Sequence, residues 1–178
     1  LTNDAWASSL GGARPDGLIG GPPCQGFSRM GKRQKGDPRN TLVGHFFRQV
    51  DILRPKFFIM ENVEGLLDAS NVGSLRRAIA TVSNRYRIVG PIVVNAAHFG
   101  AATIRKRVVV VGYDPDEVLE ISAADLVPAN IQPVNVRDAI GDLPKPETQS
   151  HVSHVWARYP TVDASDPSIS EYARRMRE

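Results

Sequence analysis

Apolar and polar residues follow each other along the chain in blocks that predict a layered α/β fold. Two stretches with apolar residues three and four positions apart predict helices, one between the possible cap Asn40-Thr41 and Pro55 and one from about Asn71 to Tyr86. Short apolar, β-prone runs predict four strands, at 16–21, 57–60, 88–94 and 107–113. The resulting order of strand, helix, strand, helix, strand, strand is typical of an α/β layered sheet.

The first predicted strand leads into a turn that carries the only cysteine of the chain, Cys24. The turn reads Gly21-Pro22-Pro23-Cys24-Gln25-Gly26-Phe27-Ser28. Its two prolines fix φ and cannot continue a sheet ladder. We therefore expect a stiff turn with Cys24 at its tip, at the edge where open α/β sheets keep their chemistry. The alternative is a buried, inert thiol, which is the commoner state of a lone cysteine.

Charged residues stand at two other predicted strand ends. Glu61 follows the apolar run 57–60, whose continuity indicates burial on both faces as in a parallel sheet. If its strand is a parallel neighbour of the first, Glu61 lies at the same edge as Cys24. Arg105 precedes the last predicted strand and Arg107 begins it, and alternation would place both guanidinium groups on one side. A nucleophile near a carboxyl group is typical of catalysis, whereas a solvated acid and an ordinary basic turn are the alternatives.

The segment 28–39 is basic, contains glycine and has no periodicity, so it predicts a loop. Its cations suit contacts with phosphate, although a solvated surface loop has a similar composition. They are Arg29, Lys32, Arg33, Lys35 and Arg39.

In this order the segments resemble the cytosine-C5 DNA methyltransferase family, over roughly residues 14–145. The family's proline-cysteine motif matches 21–28 and its glutamate-asparagine-valine motif matches 61–63. Its glutamine-x-arginine-x-arginine motif aligns with 103–107, with Thr103 in place of the glutamine. The stretch 136–144 is similar to the family's lead into its target-recognition region.

The resemblance implies a covalent reaction on a cytosine flipped out of double-stranded DNA. Cys24 would add to C6 as a thiolate, and C5 would receive a methyl group from S-adenosylmethionine. Glu61 would hydrogen-bond to N3 and to the exocyclic amine. Arg105 and Arg107 would favour the thiolate and grip the sugar-phosphate of the target.

The resemblance also assigns binding roles. Pro22 and Leu42 would border the cofactor. The residues that would contact the DNA or the flipped base are Pro23, Gln25, Ser28, Arg29, Lys32, Arg33 and Asn62.

The fold implied by the resemblance is a Rossmann-like S-adenosylmethionine-dependent methyltransferase sheet, present in part, followed by the start of a target-recognition region. We expect residues 1–144 to form the C-terminal half of the catalytic domain and 145–178 to begin the recognition region. The family's glycine-rich cofactor loop has no counterpart in the sequence. We therefore expect a fragment that is inactive alone, whose partner is the remainder of the methyltransferase chain or a complementary subunit.

Composition adds limits to this interpretation. A net charge of +3 and a pI of about 9.2 permit a polyanionic partner. One cysteine excludes an internal disulfide framework, no Cys/His cluster predicts a zinc site, and no apolar run is long enough to span a membrane. We expect a bacterial cytoplasmic, nucleoid-associated enzyme that uses no metal.

Other functions stay open. One is a non-catalytic relative that binds DNA, which the presence of Cys24, Glu61 and Arg107 disfavours. Another is a tRNA cytosine-5 methyltransferase, which uses similar motifs. An unrelated thiol hydrolase is disfavoured because no His/Asn context for orienting a base surrounds Cys24.

Overall fold

The computed structural model describes residues 9–23, 42–128, 131–143 and 166–176. These residues belong to two compact units. Of the described residues, the first unit contains 9–23, 42–95 and 106–128, and the second contains 96–105, 131–143 and 166–176.

The first unit contains a four-stranded mixed sheet. Its strands are β1 (Gly17–Gly20), β2 (Phe57–Asn62), β3 (Arg87–Asn95) and β4 (Lys106–Tyr113). Their order across the sheet is β1-β2-β4-β3. β1 and β2 are parallel, whereas β4 runs antiparallel to both of its neighbours. The four predicted strands are therefore confirmed, including the parallel pairing on which the placement of Glu61 beside the cysteine turn depended.

The prediction that β2 is buried on both faces is met only in part. Along β2 the buried residues alternate with half-buried ones, and the fully buried positions are Phe58, Met60 and Asn62. The reason lies in what covers each face, because Phe58 and Met60 pack in the larger core cluster together with residues of the two helices. The second face carries a smaller apolar cluster around Val111 and Tyr113.

Two helices accompany the sheet. α1 (Leu42–Leu53) buries Val43, Phe47 and Val50, which recur at the spacing of one helical face. It ends before Arg54, which has a φ of 48° and stands directly before Pro55. The predicted stop at this proline is confirmed, since a residue before proline avoids the helical conformation.

α2 (Val72–Ala80) is shorter than predicted, because the helix does not reach Tyr86. The hydroxyl of Thr81 donates to the carbonyl of Ala78 at 2.7 Å, and that of Ser83 donates to Ala80 at 3.3 Å. Such side-chain hydrogen bonds compete with continued helix. The apolar periodicity nevertheless marked core residues correctly, since Val82 and Tyr86 are both buried.

Edge-to-face aromatic contacts join α1 to the sheet. The ring centroids of Phe47 and Phe58 are 5.5 Å apart, and those of Phe58 and Tyr86 are 5.4 Å apart. The hydroxyl of Tyr86 donates to the carbonyl of Pro55 at 2.7 Å. These contacts hold β2 against the helix and thereby hold the strand that carries Glu61.

The second unit contains two short helices, α3 (Val136–Ile140) and α4 (Glu171–Arg175). Asn135 and Asp138 form a reciprocal cap at the start of α3. Ser170 caps α4 by accepting a hydrogen bond from Ala173 N, and its hydroxyl donates to the carbonyl of Asp138. One serine thus links the two helices. No helix in the described ranges is long and apolar enough to cross a membrane.

Candidate active site

The structure describes only some of the predicted site residues. Those within the described ranges are Pro22, Pro23, Leu42, Glu61, Asn62, Arg105 and Arg107. The predicted nucleophile and the predicted loop contacts lie outside them. These are Cys24, Gln25, Ser28, Arg29, Lys32, Arg33, Lys35 and Arg39.

Glu61 and Arg107 form an ion pair across β2 and β4. Glu61 is the register partner of Val109. Arg107 lies two residues before Val109, so it projects from the same face of the sheet and is the diagonal neighbour of Glu61. The distance from Arg107 Nε to Glu61 Oε1 is 2.7 Å. The prediction that this guanidinium faces Glu61 is confirmed.

The two partners of this ion pair differ in exposure. The side chain of Glu61 is 45% exposed and that of Arg107 is 22% exposed. Arg107 also donates from Nη1 to the carbonyl of Lys106 at 2.7 Å. The guanidinium is therefore fixed from two directions, and it holds a carboxyl group that a ligand can still reach.

The carboxyl group of Glu61 also lies against the start of the cysteine turn. The last paired residues of β1 and β2 are Gly20 and Met60. Gly21, directly after β1, therefore comes level with Glu61 of β2. A Cβ atom added to Gly21 would stand 3.0 Å from Glu61 Oε2. Glu61 therefore lies beside the backbone that leads, three residues later, to Cys24.

Asn62 ties the end of β2 to the same turn. It is 2% exposed. Its Nδ2 donates to the carbonyl of Pro22 at 3.1 Å, and its Oδ1 accepts from Val63 N at 2.9 Å. The predicted contact of Asn62 with DNA stays a prediction. Its described contacts instead fix the backbone of the proline turn, a role that sequence reasoning missed.

Arg105 belongs to the second unit, where its carbonyl accepts a hydrogen bond from Ala96 N at 2.9 Å. The prediction that its guanidinium shares one side with that of Arg107 stays a prediction.

A cleft of about 700 Å³ lies between β1 and α1, and Pro22 and Leu42 both line it. The two residues predicted to border a cofactor are thus brought to one site. Other lining residues are Leu18, Gly20, Pro23, Phe46 and Gln49. The volume is in the range of pockets that hold ligands of cofactor size.

The walls of this cleft fit S-adenosylmethionine in their chemistry. Proline, leucine and phenylalanine side chains offer apolar surfaces to an adenine ring. Gln49 Oε1 is buried and has no hydrogen-bond partner in the described part of the chain, which leaves an acceptor beside the cleft. Among the described residues no group of three His, Cys, Asp or Glu side chains could hold a metal ion.

The chain is similar in sequence to a known protein family and to two curated proteins. The sequence model of the family described as C-5 cytosine-specific DNA methylase matches residues 3–174. The Type II methyltransferase M.XorII of Xanthomonas oryzae pv. oryzae is 38% identical over 167 residues, which cover 91% of this chain and 37% of that protein. The Type II methyltransferase M.DdeI of Desulfomicrobium norvegicum is 38% identical over 135 residues, covering 72% of this chain and 32% of that protein.

A solved structure is also similar. It is described as a DNA modification methyltransferase encoded within a prophage (E. coli), and it matches with a TM-score of 0.71 and 39% identity over 82% of this chain and 40% of its own. The predicted fold class, a partial Rossmann-like methyltransferase sheet, is confirmed. The chain spans about a third of the length of the two curated relatives. Since the family's sequence model matches almost the whole chain, the protein belongs to the C-5 cytosine-specific DNA methylase family.

Proposed function

We propose that the whole protein containing this chain transfers a methyl group from S-adenosylmethionine to C5 of a cytosine in double-stranded DNA. The observation that carries the proposal is the Arg107–Glu61 pair at 2.7 Å, placed beside the turn that leads to Cys24. Membership of the C-5 cytosine-specific DNA methylase family supports the same reaction.

Cys24 is the proposed nucleophile. Cytosine C5 is a weak nucleophile, and adding a thiolate to C6 breaks aromaticity and makes C5 enamine-like. S-adenosylmethionine, when bound, supplies the electrophilic methyl group that C5 receives. The C5 proton then leaves, its bonding electrons re-form the C5–C6 double bond, and the C6–S bond breaks to release the thiolate. The target base has to leave the duplex stack for the thiolate to reach C6.

Glu61 is the proposed partner of the pyrimidine edge. Hydrogen bonds to N3 and to the exocyclic amine would withdraw charge from the ring and favour attack at C6. The half-exposed carboxyl group is available for this contact, and Arg107 orients it through Oε1. Arg105 and Arg107 would also favour the thiolate form of Cys24 and grip the sugar-phosphate of the target.

The cofactor and DNA contacts complete the proposal. Pro22 and Leu42 would border S-adenosylmethionine in the cleft that they line. Residues 1–144 would serve the catalytic domain, and 145–178 would begin the recognition region. The residues assigned to DNA or to the flipped base are Pro23, Gln25, Ser28, Arg29, Lys32, Arg33 and Asn62.

Transfer of a labelled methyl group tests the function. The whole protein is incubated with labelled S-adenosylmethionine in two separate reactions. One contains unmethylated duplex DNA and the other contains tRNA. We expect label on DNA, recovered as 5-methylcytosine after digestion. Label on tRNA, on adenine or on no nucleic acid would contradict the proposal.

A further inference from the structure

We infer that Gly21 is a positioning residue for Glu61, because its missing side chain leaves the space that the carboxyl group occupies. The inference rests on the proposed function, in which that carboxyl group contacts the cytosine. It assigns a role to a residue that has no part in the proposed reaction, although Gly21 also lines the cleft between β1 and α1.

The inference rests on the small space between Gly21 and Glu61, at the ends of two neighbouring strands. An added Cβ at Gly21 would stand 3.0 Å from Glu61 Oε2 and 3.8 Å from the Glu61 carbonyl oxygen. A contact of 3.0 Å is tighter than nine in ten real Cβ contacts, so either the carboxyl group or the strand end would have to shift.

Neither side of this contact shifts freely. The other carboxyl oxygen of Glu61 is held by Arg107 Nε at 2.7 Å. The backbone of Glu61 lies in β2, which pairs with β1 on one side and with β4 on the other. The carbonyl of Pro22, the residue after Gly21, is held by Asn62 Nδ2 at 3.1 Å. Moving the carboxyl group away from a side chain at position 21 would therefore strain its contact with Arg107.

The backbone itself does not demand glycine at this position. The described glycines with positive φ do not include Gly21, so an L-residue can adopt the backbone conformation of position 21. Those glycines are Gly11, Gly12, Gly90 and Gly100. Gly20 has a different neighbour, since a Cβ there would stand 2.9 Å from the ring of Phe46. Among the described glycines at this strand end, Gly21 is thus the one whose open space faces the acid.

The test is Gly21→Ala in the whole protein, measured by single-turnover methyl transfer. We expect the rate to fall by about 3- to 10-fold, because the carboxyl group has to give by a few tenths of an ångström and a misplacement of about 1 Å costs about 100-fold. The dissociation constants for DNA and S-adenosylmethionine should stay within about twofold of the parent. Gly44→Ala is the matched control, since no described atom lies within 4 Å of its added Cβ, and it should keep the parental rate.

A double-mutant cycle separates this role from a general effect on the turn. Glu61→Ala empties the space beside Gly21, so Gly21→Ala should lower the rate by less than about twofold in that background. An equal loss in both backgrounds, or no loss in the parent, would overturn the inference. A parental rate for Glu61→Ala alone would instead contradict the proposed role of Glu61.

Thermal melting covers the case in which Gly21→Ala does not fold. The double variant Gly21→Ala, Glu61→Ala should then recover a cooperative transition, because the clash is gone. A double variant that stays unfolded would overturn the inference.

Discussion

Arg107 Nε lies 2.7 Å from Glu61 Oε1, on a diagonal between two antiparallel strands. The pairing of β2 with β4 fixes this contact, and the parallel pairing of β2 with β1 brings the other carboxyl oxygen to Gly21. Three strands thus meet at one carboxyl group. The turn that leads to Cys24 leaves the sheet at the same place.

The first prediction concerns the chemistry of Glu61. In the whole protein, Glu61→Gln should lower the single-turnover rate of methyl transfer by about two orders of magnitude or more, the effect of losing a positioned proton donor. DNA affinity should change little, because the amide keeps the size of the side chain. The control is Glu64→Gln, which removes an exposed acid three residues further along the chain. Equal rates for the parent and Glu61→Gln would show that the acid is structural.

A second prediction concerns Arg107. Arg107→Ala should lower the methyl-transfer rate and weaken DNA binding, since it frees the carboxyl group of Glu61 and removes a cation from the site. The loss of stability should be modest, about 1 kcal/mol or less in the free energy of unfolding, because the carboxyl partner is about half exposed. Single-turnover kinetics, DNA titration and urea unfolding measure the three effects.

The control for Arg107 is Arg76→Ala, which removes an exposed arginine from α2. It should leave the rate of methyl transfer unchanged. A variant Arg107→Ala with the rate and DNA affinity of the parent would contradict the proposed role of this pair.

A third prediction concerns the tie between Asn62 and the proline turn. Asn62→Ala leaves the Pro22 carbonyl and the Val63 N–H without their side-chain partner. We expect the free energy of unfolding to fall by about 1–3 kcal/mol, the range for buried groups that lose a partner. The rate should fall as well, because the turn that presents Cys24 loses its anchor. Urea unfolding and single-turnover kinetics check the two effects.

Asn71→Ala provides the matched control for the hydrogen bond between Asn62 and the Pro22 carbonyl. Asn71 Nδ2 donates to the carbonyl of Gly65 at 2.7 Å, a similar bond that does not involve the turn. Its loss should lower stability and leave the rate unchanged. If the two variants keep the same rate, Asn62 has no role in placing the turn.

The sequence predicted the parts of the fold that periodicity governs. The four strands and α1 were predicted because their apolar residues recur at strand and helix spacing. The end of α2 was missed because side-chain hydrogen bonds from Thr81 and Ser83 compete with the helix, and apolar spacing does not register them.

The site was predictable in its residue types and less so in its contacts. Glu61 and Arg107 were both recognised from their positions near strand ends. The closeness of Gly21 to Glu61 depends on the register between two strands about forty residues apart, which composition does not encode. The ion pair between Arg14 and Asp114, at 3.1 Å, is not encoded in composition either, because the two residues are 100 positions apart in the sequence.

A fourth prediction concerns alkaline stability. Burial raises the pKa of Tyr86, whose hydroxyl donates to the Pro55 carbonyl. Because the pKa in the folded state is above that in the unfolded chain, this contribution to stability is complete below about pH 10 and is lost as the pH rises further. Tyr86→Phe should cost about 1 kcal/mol at pH 7 and should remove this part of the alkaline loss.

Urea unfolding of the parent and Tyr86→Phe at pH 7, 9 and 11 measures this difference. The stability gap between the two proteins should be constant from pH 7 to pH 9 and should narrow at pH 11. A gap that widens at pH 11 would contradict the assigned direction of the shift.

The covalent step through Cys24 is the central claim, and trapping it is the most direct measurement. Fluorine at C5 of cytosine blocks the final loss of a proton, so the C6–S bond should persist after methyl transfer. With 5-fluorocytosine duplex DNA and S-adenosylmethionine, the whole protein should form a denaturation-resistant adduct that peptide mapping assigns to Cys24. Cys24→Ala should form no adduct and should still bind the duplex. An adduct mapped to another residue, or an adduct that persists in Cys24→Ala, would contradict the account.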